Sequence, residues 1–104
     1  YLVVLAGLAS RISSKEVSEQ VLLKALTPLM RNTLDNVNEL GTEKALTGPV
    51  VRGDVETVKK HLELLTSSPE VKELYKMLGA EALNISRRRD GNTPGYDKME
   101  EILS

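Results

Sequence analysis

Residues 45–54 read Ala-Leu-Thr-Gly-Pro-Val-Val-Arg-Gly-Asp, and they separate two helical patterns without sharing either one. Gly48 and Gly53 allow backbone conformations that other residues avoid, while Pro49 fixes its own φ angle and has no amide hydrogen to donate. The stretch therefore predicts a loop. Because a threonine hydroxyl, a guanidinium and a carboxylate lie within the same few positions, we expect a functional site here if the chain has one.

The last residue of the loop, Asp54, stands directly before an amphipathic repeat that predicts a helix to about Leu65. The inward face of that helix would carry Val55, Val58, Leu62 and Leu65. Asp54 is then a predicted N-cap, and Arg52 and Gly53 would lie on a turn at the helix N-terminus. Such a terminus offers free N–H groups and a partial positive charge to an anion.

On either side of the loop, apolar spacing and the positions of proline and glycine predict further helices. Before the loop they are an apolar helix over residues 1–11, a helix over 16–26 capped by Ser13 or Ser14, a helix over 28–40 and one turn over 42–46. After the loop they are the helix over residues 54–65, a longer helix over 69–86 and a short helix over 96–103. No stretch alternates as a strand would, so we predict an all-α bundle of five to six helices.

Cap and stop signals bound the helix over residues 28–40. Thr27 would be its N-cap, Pro28 its first residue, and Gly41 would end it with a left-handed conformation. Thr33 lies within the apolar stripe of this helix, and we predict that its hydroxyl bonds back to its own helix.

The longest helix follows a second cap-then-proline signal at Ser68 and Pro69. Its predicted inward stripe comprises Val71, Leu74, Tyr75, Leu78, Ala82 and Ile85. Gly79 would allow another helix to approach closely, at some cost in helix propensity.

The composition excludes several classes of protein. The chain has 104 residues with no cysteine and one histidine, so we expect neither disulfides nor a metal site. A formal net charge of −1 gives no electrostatic footprint for nucleic acid or an anionic membrane, and we interpret Arg87 to Arg89 as the basic end of a helix. No apolar run approaches the ~20 residues that cross a bilayer, and no basic lead-in marks a signal peptide, so we expect a cytoplasmic protein.

Arg52 is the strongest candidate for a binding residue, and two interpretations stay open for it. Its guanidinium could hold a substrate carboxylate or a cofactor phosphate, or it could pair with Asp54 or Glu56 and stabilise the turn. Asp54 is either a helix cap alone or also a polar contact of the site. With Gly53 these residues spell Arg-Gly-Asp, but their place at a helix start argues against an adhesion motif.

The single histidine, His61, falls at the edge of the apolar face of its helix, on the flank that carries Asp54 and Thr57. It is either a border histidine that fills space or a weak candidate for proton handling beside the loop. Two helical turns separate it from Asp54, about 10 Å at a rise of about 1.5 Å per residue, so we expect no direct bond between them.

The run from Ala45 to Asp54, continued by Thr57, His61 and Leu62, resembles the C-terminal helical domain of a family of NAD(P)-dependent oxidoreductases. In that family a Rossmann domain precedes an all-α domain similar to those of 6-phosphogluconate dehydrogenase, pyrroline-5-carboxylate reductase and ketopantoate reductase relatives. The resemblance covers roughly residues 2–86. It implies a helical domain over residues 1–86, with residues 87–104 as a linker and a short final helix.

The resemblance also implies a function. The chain would be the substrate-binding and dimerisation domain of an oxidoreductase that passes a hydride between nicotinamide and a small carbonyl, imine or hydroxy acid. The residues implied to line its cleft are Thr47, Gly48, Pro49, Arg52, Gly53 and Asp54. NADP or NAD would be bound only in the intact protein, by a nucleotide-binding domain that this chain lacks. The implied partners are that domain, a small-molecule substrate and a second copy in a homodimer.

The start of the chain agrees with the expectation that a nucleotide-binding domain is missing. Residues 1–9 are almost wholly apolar and have no Met, cap or polar lead-in, so we interpret the chain as a fragment that begins inside a helix. Hydride transfer needs a domain that positions the cofactor, so this chain alone is not expected to be catalytic. The alternative is a non-catalytic α-helical module that assembles through its apolar first helix, with residues 45–54 as a plain connection.

Overall fold

The computed structural model describes residues 2–12 and 17–104, and within them every regular element is a helix. The helices are α1 (Leu2–Ile12), α2 (Glu19–Ala45), α3 (Val55–Leu64), α4 (Pro69–Asp90) and α5 (Tyr96–Leu103), with a 3₁₀ turn at Leu65–Ser67 between α3 and α4. The predicted all-α class is confirmed. The described residues form two compact units, one up to Glu39 and one from Leu40 to Ser104.

The first unit leaves much of its apolar surface open. No residue of α2 is fully buried. The large apolar side chains of this unit that stay exposed are Val3, Val4, Leu5, Val17, Val21, Leu29 and Leu34. A groove of about 330 Å³ is lined by residues of both helices, namely Leu5, Ala9, Leu26, Leu29, Met30, Thr33 and Leu34. The stripe predicted for residues 28–40 therefore remains largely uncovered within its own unit.

The predicted helix boundary at Thr27 and Pro28 is wrong. Residues on both sides of Pro28 belong to one helix, α2, and the Thr27 hydroxyl donates to the Leu23 carbonyl at 2.7 Å instead of capping a new helix. Proline is tolerated inside a helix when the freed backbone groups are accommodated locally. The N-cap of α2 is Ser18, whose hydroxyl accepts from the Val21 N–H at 3.2 Å. The cap predicted at residues 13–14 lies outside the described residues.

Gly41 interrupts the helical geometry of α2, as the sequence predicts. Its φ of 80° and ψ of 170° are non-helical, and one further turn leads to Ala45. Positive φ is a conformation that favours glycine, so this residue sets the point at which the chain changes course. The Thr33 hydroxyl donates to the Leu29 carbonyl at 2.9 Å, which confirms that it bonds back to its own helix.

The second unit has a well-defined core where α3, α4 and α5 meet. Its buried hydrophobic residues are Val50, Val58, Leu62, Leu83, Tyr96, Met99 and Leu103. The short helix α5 supplies the last three of these, and Tyr96 and Met99 are completely buried. The predicted inward face of α3 is confirmed at Val58, Leu62 and Leu65.

The close approach predicted at Gly79 is also confirmed. Gly79 is buried, and a Cβ at this position would lie 2.9 Å from Cδ2 of Leu103 on α5. A glycine in α4 thus makes room for the side chain that anchors the end of α5.

The buried face of α4 differs from the predicted stripe. The fully buried residues are Gly79, Leu83 and Ser86, whereas Leu78 is 52% exposed. The Ser86 hydroxyl is satisfied by the Ala82 carbonyl at 2.7 Å, so a polar residue is accommodated on the buried side. The physical reason is that α5 packs along the side of α4 that carries Gly79, which a count of apolar residues does not favour.

The end of α4 lies beyond the predicted one. Residues 87–90 continue the helix, so the boundary expected between residues 86 and 87 falls inside α4. Arg87, Arg88 and Arg89 form its last turn, as expected for the basic end of a helix. Gly91 follows with φ 73° and donates its N–H to the Arg87 carbonyl at 2.9 Å.

None of the helices in the part of the chain that the structure describes combines the length and apolar composition needed to cross a bilayer.

Two leucines of α4 test the assignment of its buried face. Leu83→Ala should lower the free energy of unfolding by about 2–5 kcal/mol, because it removes a nearly fully buried side chain and leaves a cavity. Leu78→Ala, on the half-exposed side of the same helix, should cost about 1 kcal/mol or less. Urea unfolding of both variants measures the difference. Equal losses would contradict the assigned face.

Candidate binding loop

Residues 48–54 form a turn that satisfies much of its own backbone. Three bonds run back across it, from the N–H groups of Arg52, Gly53 and Asp54 to the carbonyls of Gly48, Val50 and Pro49, at 3.3, 3.0 and 2.9 Å respectively. Gly48 has a φ of 111° and Gly53 a φ of 65°, which explains why glycine stands at both positions. The loop therefore has one defined conformation.

Asp54 caps α3, as predicted. Its Oδ1 accepts from the Thr57 N–H at 3.1 Å, and its Oδ2 accepts from the Thr57 hydroxyl at 2.8 Å. The Val58 N–H donates to the Asp54 carbonyl and the Val55 N–H to the Gly53 carbonyl. The expectation of a helix start with free N–H groups is therefore wrong at these positions, because the chain itself occupies them. An anion here would rely mainly on side-chain donors.

Arg52 extends from this turn toward solvent. Its side chain is 62% exposed, and its closest approach to Asp54 is 3.9 Å, which is an ion-pair distance without a hydrogen bond. Both carboxylate oxygens of Asp54 already accept from Thr57. An exposed pair of this kind contributes little to stability. Within the described chain the Arg52 guanidinium has no hydrogen-bonded acceptor, so its donors are available to an external anion.

Electrostatics around Asp54 favour its ionised form. The hydrogen bond from the Thr57 hydroxyl lowers the pKa of the Asp54 carboxyl most, followed by the bond from the Thr57 N–H and the charges of Arg52 and Lys60, while burial opposes them. Hydrogen bonds donated to a carboxylate stabilise its charged form. The cap is therefore negatively charged at neutral pH.

The underside of the loop is covered by the segment that leads into α5. Val50 is buried in the core, and the fully buried Tyr96 donates its hydroxyl to the Val51 carbonyl at 2.7 Å. The backbones of Gly53 and Gly95 touch, since a Cβ on Gly53 would lie 2.6 Å from the Pro94 carbonyl oxygen. Gly53 therefore contacts the segment before α5 on one side, and its place in the lining of a cleft stays a prediction.

The remaining predicted residues of the loop lie on its outer side or edge. Thr47 is exposed, while Gly48 and Pro49 are half-buried. A Cβ at Gly48 would meet nothing within 4 Å, so the side of Gly48 to which a side chain would point is open. The structure thus gives the loop an outer side with Thr47, Gly48 and Arg52 and an inner side with Val50 and Gly53.

His61 is paired with Tyr75 and not with the loop. Its Nδ1 and the Tyr75 hydroxyl share a hydrogen bond of 2.8 Å, and the two rings meet edge to face with centroids 5.8 Å apart. Burial raises the pKa of the Tyr75 hydroxyl. His61 therefore lies at the border of the core, where its partner is a hydroxyl, and a role in proton handling stays a prediction.

No group of three or more His, Asp and Glu side chains in the described ranges is arranged to hold a metal ion.

A comparison with protein families shows which family contains this chain. A family model described as a domain of unknown function, DUF2520, matches residues 1–82, which is most of the 104 residues. The chain belongs to the DUF2520 family. Comparisons with curated proteins and with solved structures find no match. The DUF2520 match includes the whole loop and α3 but ends within α4, before Arg89 and α5.

Three residues that contact the predicted site or its neighbours escaped sequence reasoning. Tyr75 was assigned to an apolar stripe, although its hydroxyl meets His61. Arg89 donates to the carbonyls of Glu43 and Leu46, and Tyr96 donates to that of Val51. Both lie outside the DUF2520 match, and their acceptors are backbone carbonyls more than 40 residues away, which no local pattern reveals.

The Asp54 cap makes part of the free energy of unfolding depend on pH. Because the pKa of Asp54 is lowered on folding, its contribution is fully present above the ordinary value of 3.8 and is lost as the pH falls through the lowered value. The side chain in Asp54→Asn keeps one hydrogen-bond acceptor but has no charge. The variant should therefore lose less stability on acidification than the unmodified chain. Thermal unfolding between pH 7 and pH 2 measures it, with Glu56→Gln as the control because the Glu56 carboxylate is exposed and pairs with Lys59.

At pH 7 Asp54→Asn should lower the melting temperature slightly, since asparagine is also a good N-cap. Parallel curves for Asp54→Asn and the unmodified chain down to pH 2 would contradict the assigned role of the Asp54 charge.

Proposed function

We propose that this chain is the substrate-binding and dimerisation domain of an NAD(P)-dependent oxidoreductase. The intact protein would transfer a hydride to or from a small carbonyl, imine or hydroxy acid. The observation that carries the proposal is Arg52, an exposed guanidinium on an internally hydrogen-bonded turn, which lies 3.9 Å from the Asp54 carboxylate and makes no hydrogen bond to it. The resemblance of residues 45–62 to such domains supports the same function.

In this proposal Arg52 binds the acidic group of the substrate. A guanidinium recognises a carboxylate or phosphate through two parallel hydrogen bonds, which fix orientation as well as position. Thr47 is exposed near the start of the loop, and its hydroxyl would provide a further donor. The internal hydrogen bonds of the loop keep Arg52 in place, so orienting the substrate would require little ordering of the backbone.

The cofactor would be held elsewhere in the intact protein. The described residues contain no strand, so they do not build the βαβ unit and phosphate-binding turn on which NAD or NADP is usually bound. When bound, the nicotinamide would supply or accept the hydride. The residues of this chain would bind and orient the substrate, and no step of the transfer itself is assigned to them.

We also propose that the first unit pairs with a second copy of itself. Val3 is 84% exposed and Leu29 61% exposed, and both belong to the unit that also carries the apolar groove. Exposed apolar surface of this kind marks interaction sites. A unit with both projecting apolar side chains and a groove can meet its own copy in an isologous contact, in which apolar side chains of each copy pack into the groove of the other. The Thr33 hydroxyl is satisfied internally, so covering the groove leaves it paired.

The second candidate is a non-catalytic assembly module, and the exposed apolar groove is the observation that favours it. Both candidates use the groove as a subunit contact. They differ at the loop, because the module gives Arg52 no ligand.

Arg52→Ala therefore separates the two candidates. Titration of the intact protein with pyruvate, as a probe carboxylate, and with inorganic phosphate should show affinity reduced about tenfold or more for whichever anion binds. Arg31→Ala is the matched control, because Arg31 is an exposed arginine of the other unit. Unchanged binding in Arg52→Ala, or binding of neither anion to the unmodified protein, would favour the assembly module.

Leu29→Glu combined with Leu34→Glu tests the subunit contact. Both side chains line the groove and are more than half exposed, so the charged variant should fold normally but sediment as a monomer. Leu64→Glu is the control, since Leu64 is 78% exposed in the second unit and lies outside the groove. A dimer that persists in the double variant, or a monomeric unmodified protein, would contradict the proposed contact.

A further inference from the structure

We infer that Arg89 and Tyr96 are positioning residues for the anion site, acting through the backbone of the loop from a segment beyond the matched DUF2520 region. The inference rests on the proposed function for the identity of the site, whereas the contacts themselves stand on the described geometry. Residues 89–96 would act as a clamp, a term we use for the contacts of Arg89, Gly95 and Tyr96 with residues 43–53.

Tyr96 forms the central contact of the clamp. Its ring is completely buried in the core, and its hydroxyl donates to the Val51 carbonyl at 2.7 Å. Val51 is the residue directly before Arg52. A hydrogen bond to that carbonyl therefore fixes the orientation of the peptide group that joins the two residues, which sets the direction in which the Arg52 side chain leaves the loop.

Gly95 closes the clamp against the other side of Arg52. A Cβ on Gly95 would lie 2.6 Å from the Gly53 carbonyl oxygen and 3.3 Å from the Gly53 α-carbon. The reciprocal position is equally crowded, because a Cβ on Gly53 would lie 2.6 Å from the Pro94 carbonyl oxygen. Arg52 thus stands between Val51, whose carbonyl accepts from Tyr96 at the start of α5, and Gly53, whose backbone packs against Pro94 and Gly95.

Arg89 holds the start of the loop. One terminal nitrogen of its guanidinium donates to the Glu43 carbonyl at 2.9 Å and to the Leu46 carbonyl at 3.1 Å. The Asp90 carboxylate accepts from the other nitrogens at 2.8–3.0 Å, and this hydrogen bonding raises the pKa of Arg89 and lowers that of Asp90. The guanidinium therefore stays charged and oriented toward the last turn of α2 and the residue before Thr47.

The first test measures local opening of the loop. In the intact protein, amide hydrogen exchange at Arg52, Gly53 and Asp54 should become about fivefold to tenfold faster in Tyr96→Phe and in Arg89→Ala, since each removes contacts that keep the loop closed. Exchange at the buried amides of α3 should rise much less. Arg87→Ala is the matched control, because Arg87 belongs to the same helical turn, but among the described residues its side chain pairs with Asp97 and Glu100 and not with the loop.

A purely structural role predicts another pattern. If Tyr96 and Arg89 only stabilise the second unit, exchange should accelerate equally in the loop and in α3, and Arg87→Ala should act in the same way. That outcome would overturn the inference. Arg89 is half-buried and lies outside the hydrophobic core, so Arg89→Ala keeps the test decisive if Tyr96→Phe unfolds the protein.

The second test couples the clamp to the anion. With inorganic phosphate as the probe, Tyr96→Phe as a single substitution should weaken binding about threefold to tenfold. Added to Arg52→Ala, the same substitution should have no further effect on binding. An equal effect in both backgrounds would overturn the inference. If phosphate does not bind, pyruvate replaces it as the probe. If neither anion binds, the proposed function fails, while the exchange measurements still decide whether the clamp exists.

Discussion

The contact between the backbones of Gly53 and Gly95 is the constraint on which the second unit depends. Neither position tolerates a side chain, since a Cβ on either residue would lie 2.6 Å from a carbonyl oxygen of the other segment. The approach brings the start of α5 under the loop and places Tyr96 in the core. A loop that would otherwise be only a link between α2 and α3 is thereby packed on a helix from the other end of the chain.

The charges at the loop are arranged by a short hydrogen-bond network. Asp54 accepts from Thr57 with both of its oxygens at the start of α3, while Arg52 lies at an ion-pair distance from it without a hydrogen bond. The cap therefore ends the loop beside an arginine whose hydrogen-bond donors face solvent. Most N–H groups around this helix start are consumed by the chain, so the binding chemistry of the loop resides in side chains.

The two units differ in which of their apolar side chains they bury. The second unit buries Leu62, Leu83, Leu103 and Met99 in a core between three helices, whereas in the first unit α1 and α2 leave leucines and valines exposed and no residue of α2 is fully buried. Since burial of apolar side chains is the main favourable term in folding, an exposed groove of this kind favours association. The proposed dimer and the proposed anion site thus belong to separate units of the chain and depend on different physical forces.

Local features of the sequence determined the helices, the loop and its cap. Asp54 followed by Thr57, the positive φ of Gly41 and the apolar face of α3 depend on residues only a few positions apart, so their patterns are readable. The same reasoning failed at Pro28, where a local signal for a helix start was overridden within one continuous helix. Arg52, Asp54 and Thr47 could be chosen as candidates from the loop composition alone.

Only the tertiary structure decided which side of the loop is covered and which face of α4 is buried. Those outcomes depend on α5, through Tyr96 on the Val51 carbonyl and Leu103 on Gly79, and on the end of α4, through Arg89 on the Leu46 carbonyl. The partners are far apart in sequence and two of the acceptors are backbone carbonyls, which every residue possesses. A sequence carries no local mark for such contacts, because they arise from the way whole helices pack and not from the preferences of neighbouring residues.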